Sequence, residues 1–414
     1  MASAQQTAGF RAYIPSQNAT RSRELAASDA YEWAAARCNE PFVANWAQSF
    51  ERLVNEPYRG ISVDGNVTPG VHRVASKGED LGAPTADMVQ AARAVLDLAS
   101  SEQRKLLQRP IDSPDWRRWM NPEIYLYRHG LRLEDVSDEI VEAIHLVMKA
   151  SLSPAGYKKA RGCMKTNQFL GEVVNGTKVL NEKSYNFTIF GTPSDEPWGW
   201  QLHGHHFCMN CLVAGTQMVI SPVFMGAEPN VIDEGTEKGT ELFTDQEQLA
   251  LRLMSSLSEA TQKQVRIYPG IGAEDMPSWR FHRADQRHLG GAFQDNRVVP
   301  YEGVKVSTFS AQQQDMVRDL ITLSLNYLPD KALDVRMQEI SCYWGETYFC
   351  WIGQNVQGAA FYYKVHSPVV MVEFDHHSGV FLDNKMPLPF HIHTLVRTPS
   401  GNDYGKELIR QFYK

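Results

Sequence analysis

The sequence predicts an α+β fold, in which a helical N-terminal part packs on a mainly antiparallel sheet region. Three observations predict it. Helical periodicity dominates the first 150 residues, segments rich in aromatic and β-branched residues follow Lys165, and the predicted strands come in clusters separated by runs of helix. A doubly wound fold would alternate strands with helices, so this clustering argues against a parallel, helix-crossed sheet.

The first helices are predicted from apolar spacing and capping residues. Apolar residues recur at the spacing of one helical face over residues 88–96 and again over 140–148. Ser137 stands at the N-cap position of the second stripe. Ser100 with Gln103 matches a capping box, which predicts a short helix between the two stripes.

The strands are predicted from composition and turns. Gly215 marks a hairpin turn between two strand-like segments. Helical patterns then return over residues 244–257 and 311–325. The remaining predicted strands form a C-terminal meander over residues 347–352, 361–365, 369–375 and 390–396.

Composition and charge narrow the classes of function. The chain has 414 residues, a formal net charge of −7 and a pI near 6.0. A nucleic-acid binder usually carries a basic surface, so we expect no nucleic-acid partner. The sequence contains neither GxGxxG nor the phosphate loop GxxxxGK followed by Ser or Thr, which argues against a nucleotide-dependent enzyme.

The lack of a recognisable targeting signal and the sparse cysteines predict a cytoplasmic protein without a membrane partner. The first ten residues have no apolar core of a signal peptide, and no stretch approaches the roughly 18–20 apolar residues that cross a bilayer. The six cysteines are spread too thinly for a disulfide framework. Cys208 and Cys211 form a CxxC, but this spacing in a strand places the thiols on opposite faces, which favours core packing.

Histidines gather in two strand-like windows. Eight of the 13 histidines lie there: His203, His205, His206, His366, His376, His377, His391 and His393. The five others are predicted to be structural: His72, His129, His145, His282 and His288.

Strand alternation places the polar residues of the second window on one face. Residues i and i+2 point to the same side of a strand, so His391, His393 and Arg397 share a face. Glu373 and Asp375 share a face of the preceding strand. If the two strands pair with these faces together, imidazoles and carboxylates converge on one site.

Such a set of side chains suits a divalent ion, namely Fe, Cu or Zn. The predicted ligands are His205, His206, Glu373, His391 and His393. Asp375 is predicted to orient a histidine for acid–base work, and Arg397 to hold an anionic group of a small-molecule substrate. Gly204 can introduce a bulge, so the spacing leaves open which of His203, His205 and His206 faces the site.

Three functions fit this pattern. The first is a metal-dependent enzyme acting on a small organic molecule, with a preference for non-haem oxidoreductase chemistry. The second is a metal-dependent hydrolase, in which the ion activates water. The third is a binding or scaffold protein whose histidine network is structural. The sequence gives neither the substrate nor the oligomeric state.

The chain resembles the DUF3500 family of uncharacterised proteins. The resemblance rests on Trp198-Gly-Trp200 with Gly204-His-His206, on Pro222–Pro229, on Glu373-Phe-Asp375 and on His391-Ile-His393. The run Asp375–Val380 is similar to a fungal-type branch, for which specialised metabolism is a reasonable setting. The resemblance supplies no ligand assignment.

The expected organisation is one structural unit preceded by a short flexible N-terminal segment. Residues 1–25 are small and polar and are predicted to form a flexible segment. The resemblance supports treating residues 26–414 as a single unit. Within it we expect a mainly helical part over 26–160 and an α+β part over 161–414, which carries the histidine-rich sheet.

Overall fold

The computed structural model describes residues 9–76 and 78–414. Within these residues, twelve α-helices accompany one mixed sheet of twelve strands. The predicted α+β fold is therefore confirmed. The helices are α1 Thr20–Ala27, α2 Ala30–Cys38, α3 Pro41–Asn55, α4 Thr85–Leu98, α5 Ser101–Leu107, α6 Asp138–Ser151, α7 Pro154–Val173, α8 Thr244–Ser256, α9 Glu259–Val265, α10 Ala311–Leu325, α11 Asp330–Cys342 and α12 Lys406–Phe412.

The strands form in the segments that are rich in aromatic and β-branched residues. They are β1 Gln108–Arg109, β2 Leu131–Arg132, β3 Tyr185–Phe190, β4 Trp198–Gly204, β5 Phe207–Ala214, β6 Gln217–Ala227, β7 Arg266–Tyr268, β8 Val304–Lys305, β9 Tyr348–Gly353, β10 Phe361–His366, β11 Met371–His376 and β12 Ile392–Arg397. Ten of the twelve, β3 to β12, follow Lys165.

Local signals explain several helix starts. The Ser100 hydroxyl accepts from the Gln103 N–H while the Gln103 side chain accepts from the Ser100 N–H, so the predicted capping box begins α5. Ser137 caps α6 by accepting from the Ile140 N–H. Each such cap satisfies backbone donors that the first turn of a helix leaves free.

The order of strands in the sheet is β1-β3-β4-β5-β6-β12-β11-β10-β9-β7, with β2 on β3 and β8 on β9. Among the twelve strands of the described residues, only the short edge strands β1 and β7 pair in parallel, and every other strand pairing is antiparallel. The C-terminal β12 lies between β6 and β11. This position brings the two histidine windows close together, because only β6 separates β12 from the β4–β5 hairpin in the sheet.

The two faces of the sheet differ in chemistry. One face carries Trp200, Met225 and Phe374, which pack in one large core with helix residues such as Ile144 and Leu253. Burying each of these side chains contributes about 1.5–3 kcal/mol. The opposite face carries charged and histidine side chains, so the chemistry of the molecule concentrates there.

The charged face is closed by a coil segment, residues 279–299. The backbone N–H groups of Leu289 and Gly290 donate to the Glu373 carboxylate, and Arg287 pairs with Asp375. The coil therefore seals the polar face from solvent.

The predicted flexible segment over residues 1–25 is only partly described. Residues 1–8 lie outside the described residues. In the rest of the segment, Phe10 and Leu25 are buried in a cluster with Phe169 and Leu170 of α7. None of the helices over residues 9–76 and 78–414 combines the length and apolar character that a membrane crossing requires.

Candidate metal centre

A two-residue turn places the first histidine of the site. Gly204 and Phe207 pair across the β4–β5 hairpin, which leaves His205 and His206 at its tip. His206 has a left-handed backbone, with φ of 59°. Its N–H donates to the Asn121 carbonyl at 3.0 Å, and its carbonyl accepts from the Gly226 N–H at 2.7 Å. The hairpin tip is thus fixed by hydrogen bonds on both sides.

The left-handed conformation is unusual for a residue with a side chain. It costs roughly 1–2 kcal/mol relative to a right-handed one, although histidine adopts it more often than most residues. Strain of this kind is concentrated at functional sites, where the surrounding structure holds it in place. It also explains why strand alternation does not apply to His205 and His206.

The pairing of β6 with β12 brings the second window to this tip. His393 lies opposite Gly226 in the antiparallel register. A Cβ atom on residue 226 would lie 2.9 Å from Cδ2 of His393 and 3.3 Å from Cδ2 of His206. Glycine is therefore needed here, because any side chain would occupy the space that the two imidazoles share.

Three ring nitrogens meet in an almost equilateral triangle. The Nε2 atom of His391 lies 3.0 Å from that of His393 and 3.3 Å from that of His206, and the third side is 3.1 Å. The ring centroids are 4.8–5.2 Å apart and the planes are inclined at 60–78°. The three rings are therefore inclined to one another, with their Nε2 atoms directed at a common centre.

This triangle has the dimensions of a ligand set. An ion bound by imidazoles at about 2.0–2.1 Å separates the nitrogens by roughly 3.0 Å at right angles and 3.4 Å in a tetrahedron. The observed sides fall in this range. All three histidines are at most 3% exposed, so a bound ion would be shielded from bulk water.

The tautomer of His391 is set by its outer nitrogen. Nδ1 lies 2.8 Å from the Ser378 carbonyl oxygen, which only accepts, so Nδ1 carries a proton. The neutral ring then presents a lone pair on Nε2 to the triangle. A metal-bound histidine usually donates its other N–H to a carbonyl or a carboxylate in this way. The Glu228 carboxylate is 3.7 Å from the same nitrogen.

Burial keeps the imidazoles neutral. It lowers the pKa of His206 and His393 well below the ordinary value, and the neighbouring histidines lower both further. Burial also lowers the pKa of His391, although Glu228 opposes the shift. Metal ions bind the neutral ring, so these histidines can act as metal ligands without first losing a proton from a charged ring.

A second group of histidines adjoins the first. One ligand atom each from His288, His377 and His393 lies within 4.8 Å of the others, so His393 belongs to both groups. His377 and His393 have ring centroids 3.8 Å apart. Either group of three buried histidines can hold a metal ion.

The carboxylates predicted for the site lie behind the histidines. Glu373 shares the predicted face with Asp375, and Asp375 is opposite His393. Glu373 accepts from Leu289 N–H, Gly290 N–H and the Tyr362 hydroxyl, and it lies 3.6 Å from Nδ1 of His288. It is in neither group of three. Burial raises the pKa of Glu373, but His288 and these donors outweigh burial and keep it below its ordinary value.

Asp375 and Arg397 are paired with protein groups. Asp375 accepts from Nε of Arg287 at 2.6 Å and lies 3.3 Å from Nε2 of His377. Arg397 donates to the Gly290 and Gly291 carbonyls and to Asp295 and Asp403. With no exposed surface, the guanidinium is engaged inside the protein. The geometry places it in an ion-pair network away from solvent, not at an open substrate site.

His205 takes a supporting position. Its ring stacks on that of His206, with centroids 3.9 Å apart, and its Nδ1 contacts the Asn167 amide oxygen at 2.7 Å. His203 stacks on His129 instead. Of the three histidines in this window, only His206 enters a group of three.

Sequence reasoning missed three residues near the site. His288 lies in the coil that covers the sheet and was predicted to be structural, because an isolated histidine in a coil carries no periodic signal. His377 lay in the second window without a role. Glu228 follows β6 and is buried behind His391. The only signal for it in the sequence is that an acidic residue stands in a strongly apolar stretch.

The CxxC pair packs as predicted. Cys208 belongs to the cluster on the charged face, and Cys211 to the core on the helix face. Burial raises the pKa of both thiols above the ordinary value, so neither is a thiolate near neutral pH.

Comparison with known proteins gives one match. Residues 81–406 match the model of a family described as a protein of unknown function, DUF3500. The matched range includes every histidine of both groups. No curated protein and no solved structure matches the chain.

Proposed function

The chain belongs to the DUF3500 family, and we propose that it is a metal-dependent enzyme that acts on a small organic molecule. The preferred chemistry is that of a non-haem oxidoreductase. His206, His391 and His393 would hold a divalent ion through their Nε2 atoms. The observation that carries the proposal is the triangle of these atoms, with sides of 3.0–3.3 Å.

A hydrogen-bonded network explains the triangle less well than an ion does. The Nε2 atom of His391 has a lone pair and no proton, because Nδ1 donates to Ser378. If His206 and His393 both donate to it, their own N–H groups face each other. If only one donates, two lone pairs face each other. Every arrangement of neutral rings leaves at least one repulsive pair, and a cation at the centre removes the repulsion.

The carboxylates favour redox chemistry over hydrolysis. A metal-dependent hydrolase needs water at the ion and usually a free base to activate it. Glu228 accepts from the N–H groups of residues 380–382, and Glu373 and Asp375 are held as described above. None of the three is left as a free base. The nearly complete burial of the site also restricts the entry of water.

The ligand set admits several ions. Imidazole nitrogen suits iron, copper and zinc, so the chemistry of the donors does not select one. Iron or copper supplies one-electron chemistry, whereas zinc supplies only a Lewis acid. Identification of the bound metal therefore separates the oxidoreductase from the hydrolase.

A small-molecule substrate fits the surroundings of the site. A cavity of about 290 Å³ is lined by residues 379–385, which directly follow Ser378, the residue that holds His391. Arg21 lines the same cavity and donates to the Val380 carbonyl. We place substrate entry along this segment. The net charge of −7 supports a function without nucleic acid.

The cellular setting belongs to the same proposal. A cytoplasmic location without a membrane partner is supported by the thinly spread cysteines. The Asp375–Val380 run supports a fungal-type branch, for which specialised metabolism is the setting we propose.

Metal analysis of protein purified without an affinity tag tests the metal centre. We expect a stoichiometric ion in the parent and in His203→Ala, which alters a buried histidine of the same hairpin outside both groups. The double variant His391→Ala/His393→Ala should fold, as judged by circular dichroism, and should lose the ion. Retention of the ion by the double variant would refute the ligand assignment.

The oxidoreductase is tested with the same preparations. We expect iron or copper, and oxygen consumption with members of a small-molecule library in the parent but not in the double variant. Full metal occupancy by zinc, with hydrolysis of an ester or amide library, would replace the oxidoreductase by the hydrolase. A parent that binds no metal after incubation with each ion would favour the scaffold protein.

A further inference from the structure

The second group of histidines has a site of its own. We propose that His288, His377 and His393 bind a second divalent ion, and that the imidazole of His393 is shared by the two ions. This inference rests on the metal centre of the proposed function and goes beyond it, because a one-metal enzyme needs neither His288 nor His377.

Unpartnered ring nitrogens mark the second site. Both nitrogens of His288, Nε2 of His377 and Nδ1 of His393 are buried without a hydrogen-bond partner among the described residues. A buried polar group without a partner costs about 1–3 kcal/mol. Four such atoms in three adjoining residues are open to a ligand, and a ring nitrogen that carries no proton can bind a metal ion.

His393 has one nitrogen for each ion. Its Nε2 is a corner of the first triangle, and its Nδ1 is the free atom. A ring that binds through both nitrogens must lose its remaining N–H proton. Two flanking dications favour that loss, as a bound cation favours deprotonation of its ligands. The released proton passes to a water molecule of the ion's own hydration shell, which the ring nitrogen replaces as a ligand.

One carboxylate stands behind the second group as Glu228 stands behind the first. Glu373 lies 3.6 Å from Nδ1 of His288 and leaves Nε2 of that ring for an ion. A carboxylate behind a histidine orients the ring and makes it a better ligand. Asp375 is placed differently, because it lies 3.3 Å from Nε2 of His377, the nitrogen that would bind the ion. It therefore contributes negative charge beside the ion.

The buried charge also favours two cations. Glu228 and Glu373 are at most 1% exposed, and among the described residues neither has a lysine or arginine nitrogen within 4.0 Å. Over residues 9–76 and 78–414, the one ion-pair partner of each is a histidine. A buried carboxylate without a cation is costly. One divalent ion beside each histidine compensates that charge.

The spacing predicts that the second ion binds more weakly. The ring centroid of His288 lies 6.1 Å from the ring centroids of His377 and His393. The corresponding centroid distances in the first triangle are 4.8–5.2 Å. His288 must therefore move toward its partners when the ion binds. We expect the first group to fill before the second.

Copper titration of the metal-free protein tests the inference. We expect two Cu²⁺ per chain that resist a weak chelator, with the first giving a full paramagnetic resonance signal. The second should reduce the signal per copper, because an imidazole shared by two Cu²⁺ ions couples their spins. His288→Gln and His377→Gln should each bind one Cu²⁺ with an uncoupled signal, and the control His203→Gln should bind two.

The outcomes separate this inference from the proposed function. One Cu²⁺ in the parent, or two uncoupled Cu²⁺ that persist in both glutamine variants, would overturn the second site and leave the first. No tightly bound Cu²⁺ in the parent would overturn both. Two variants are used so that misfolding of one, seen in its near-ultraviolet circular dichroism, leaves the other as the test.

Discussion

The Nε2 atoms of His206 and His393 lie 3.1 Å apart, although 187 residues separate them in the chain. The contact depends on one glycine. β6 pairs with β5 on one side and with β12 on the other, and Gly226 leaves room between the two imidazoles. A backbone feature, not a side-chain preference, thus creates the centre of the site.

The hairpin tip provides the first prediction. His206→Asn should remove the bound metal and change the free energy of unfolding of the metal-free protein by less than about 1.5 kcal/mol, because asparagine tolerates a left-handed backbone. The loss of imidazole packing is offset by relief of the repulsion among the three Nε2 atoms. Metal analysis and urea unfolding measure the two effects.

A β-branched residue serves as the matched control for the hairpin tip. His206→Val removes the same ligand, but its side chain disfavours a positive φ, so it should be less stable than the asparagine variant by about 1–2 kcal/mol. Equal stability of the two variants would contradict the importance of the left-handed turn. Metal retained by either would contradict the ligand role.

Periodicity predicted the face of the site but not the role of each residue on it. Alternation places Asp375 and His393 on one side, and the register pairs them directly. It does not predict that His206 lies in a turn, since the two-residue loop interrupts the alternation at Gly204. It also gives no information on His288, because a coil has no period.

Arg397 shows the same limit. Its position on the polar face was predictable from the spacing, but its partners come from a coil and from the residues after β12. A buried guanidinium needs acceptors for its donors, and these are supplied by long-range contacts that no local pattern reveals.

The second prediction concerns Arg397. Arg397→Met should lower the free energy of unfolding by about 3–5 kcal/mol, because it leaves the buried carboxylate of Asp403 without its cation and leaves Asp295 with Arg117 alone. Urea unfolding measures the loss. Arg397→Lys keeps the charge and should lose less. A methionine variant with the stability of the parent but weaker substrate binding would restore the substrate role predicted from the sequence.

The third prediction concerns the cysteines. Cys208 and Cys211 should not react with a maleimide at pH 8 in the folded protein, because burial removes access and keeps both thiols protonated. The exposed Cys342 should react within minutes and serves as the internal control. Peptide mass spectrometry measures the labelling. Rapid labelling of Cys208 in the folded protein would show that the charged face is open to solvent.

The last prediction concerns Glu228, which is buried behind His391. Its carboxylate accepts from the N–H groups of Val380, Phe381 and Leu382 and lies 3.7 Å from Nδ1 of His391. It therefore supports both the ring and the segment whose Ser378 carbonyl fixes the tautomer. Glu228→Gln removes the charge and points an amide N–H₂ group toward backbone donors.

We expect Glu228→Gln to weaken metal binding by about 10–100-fold while His206, His391 and His393 remain in place, since the loss of a group behind a ligand has an effect of this size. Competition with a chelator of known affinity measures the change. Glu196→Gln, at an exposed position in the loop before β4, provides the control for the loss of one negative charge. Unchanged affinity in the Glu228 variant would show that Ser378 alone orients His391, whereas complete loss of metal with intact circular dichroism would make Glu228 a ligand.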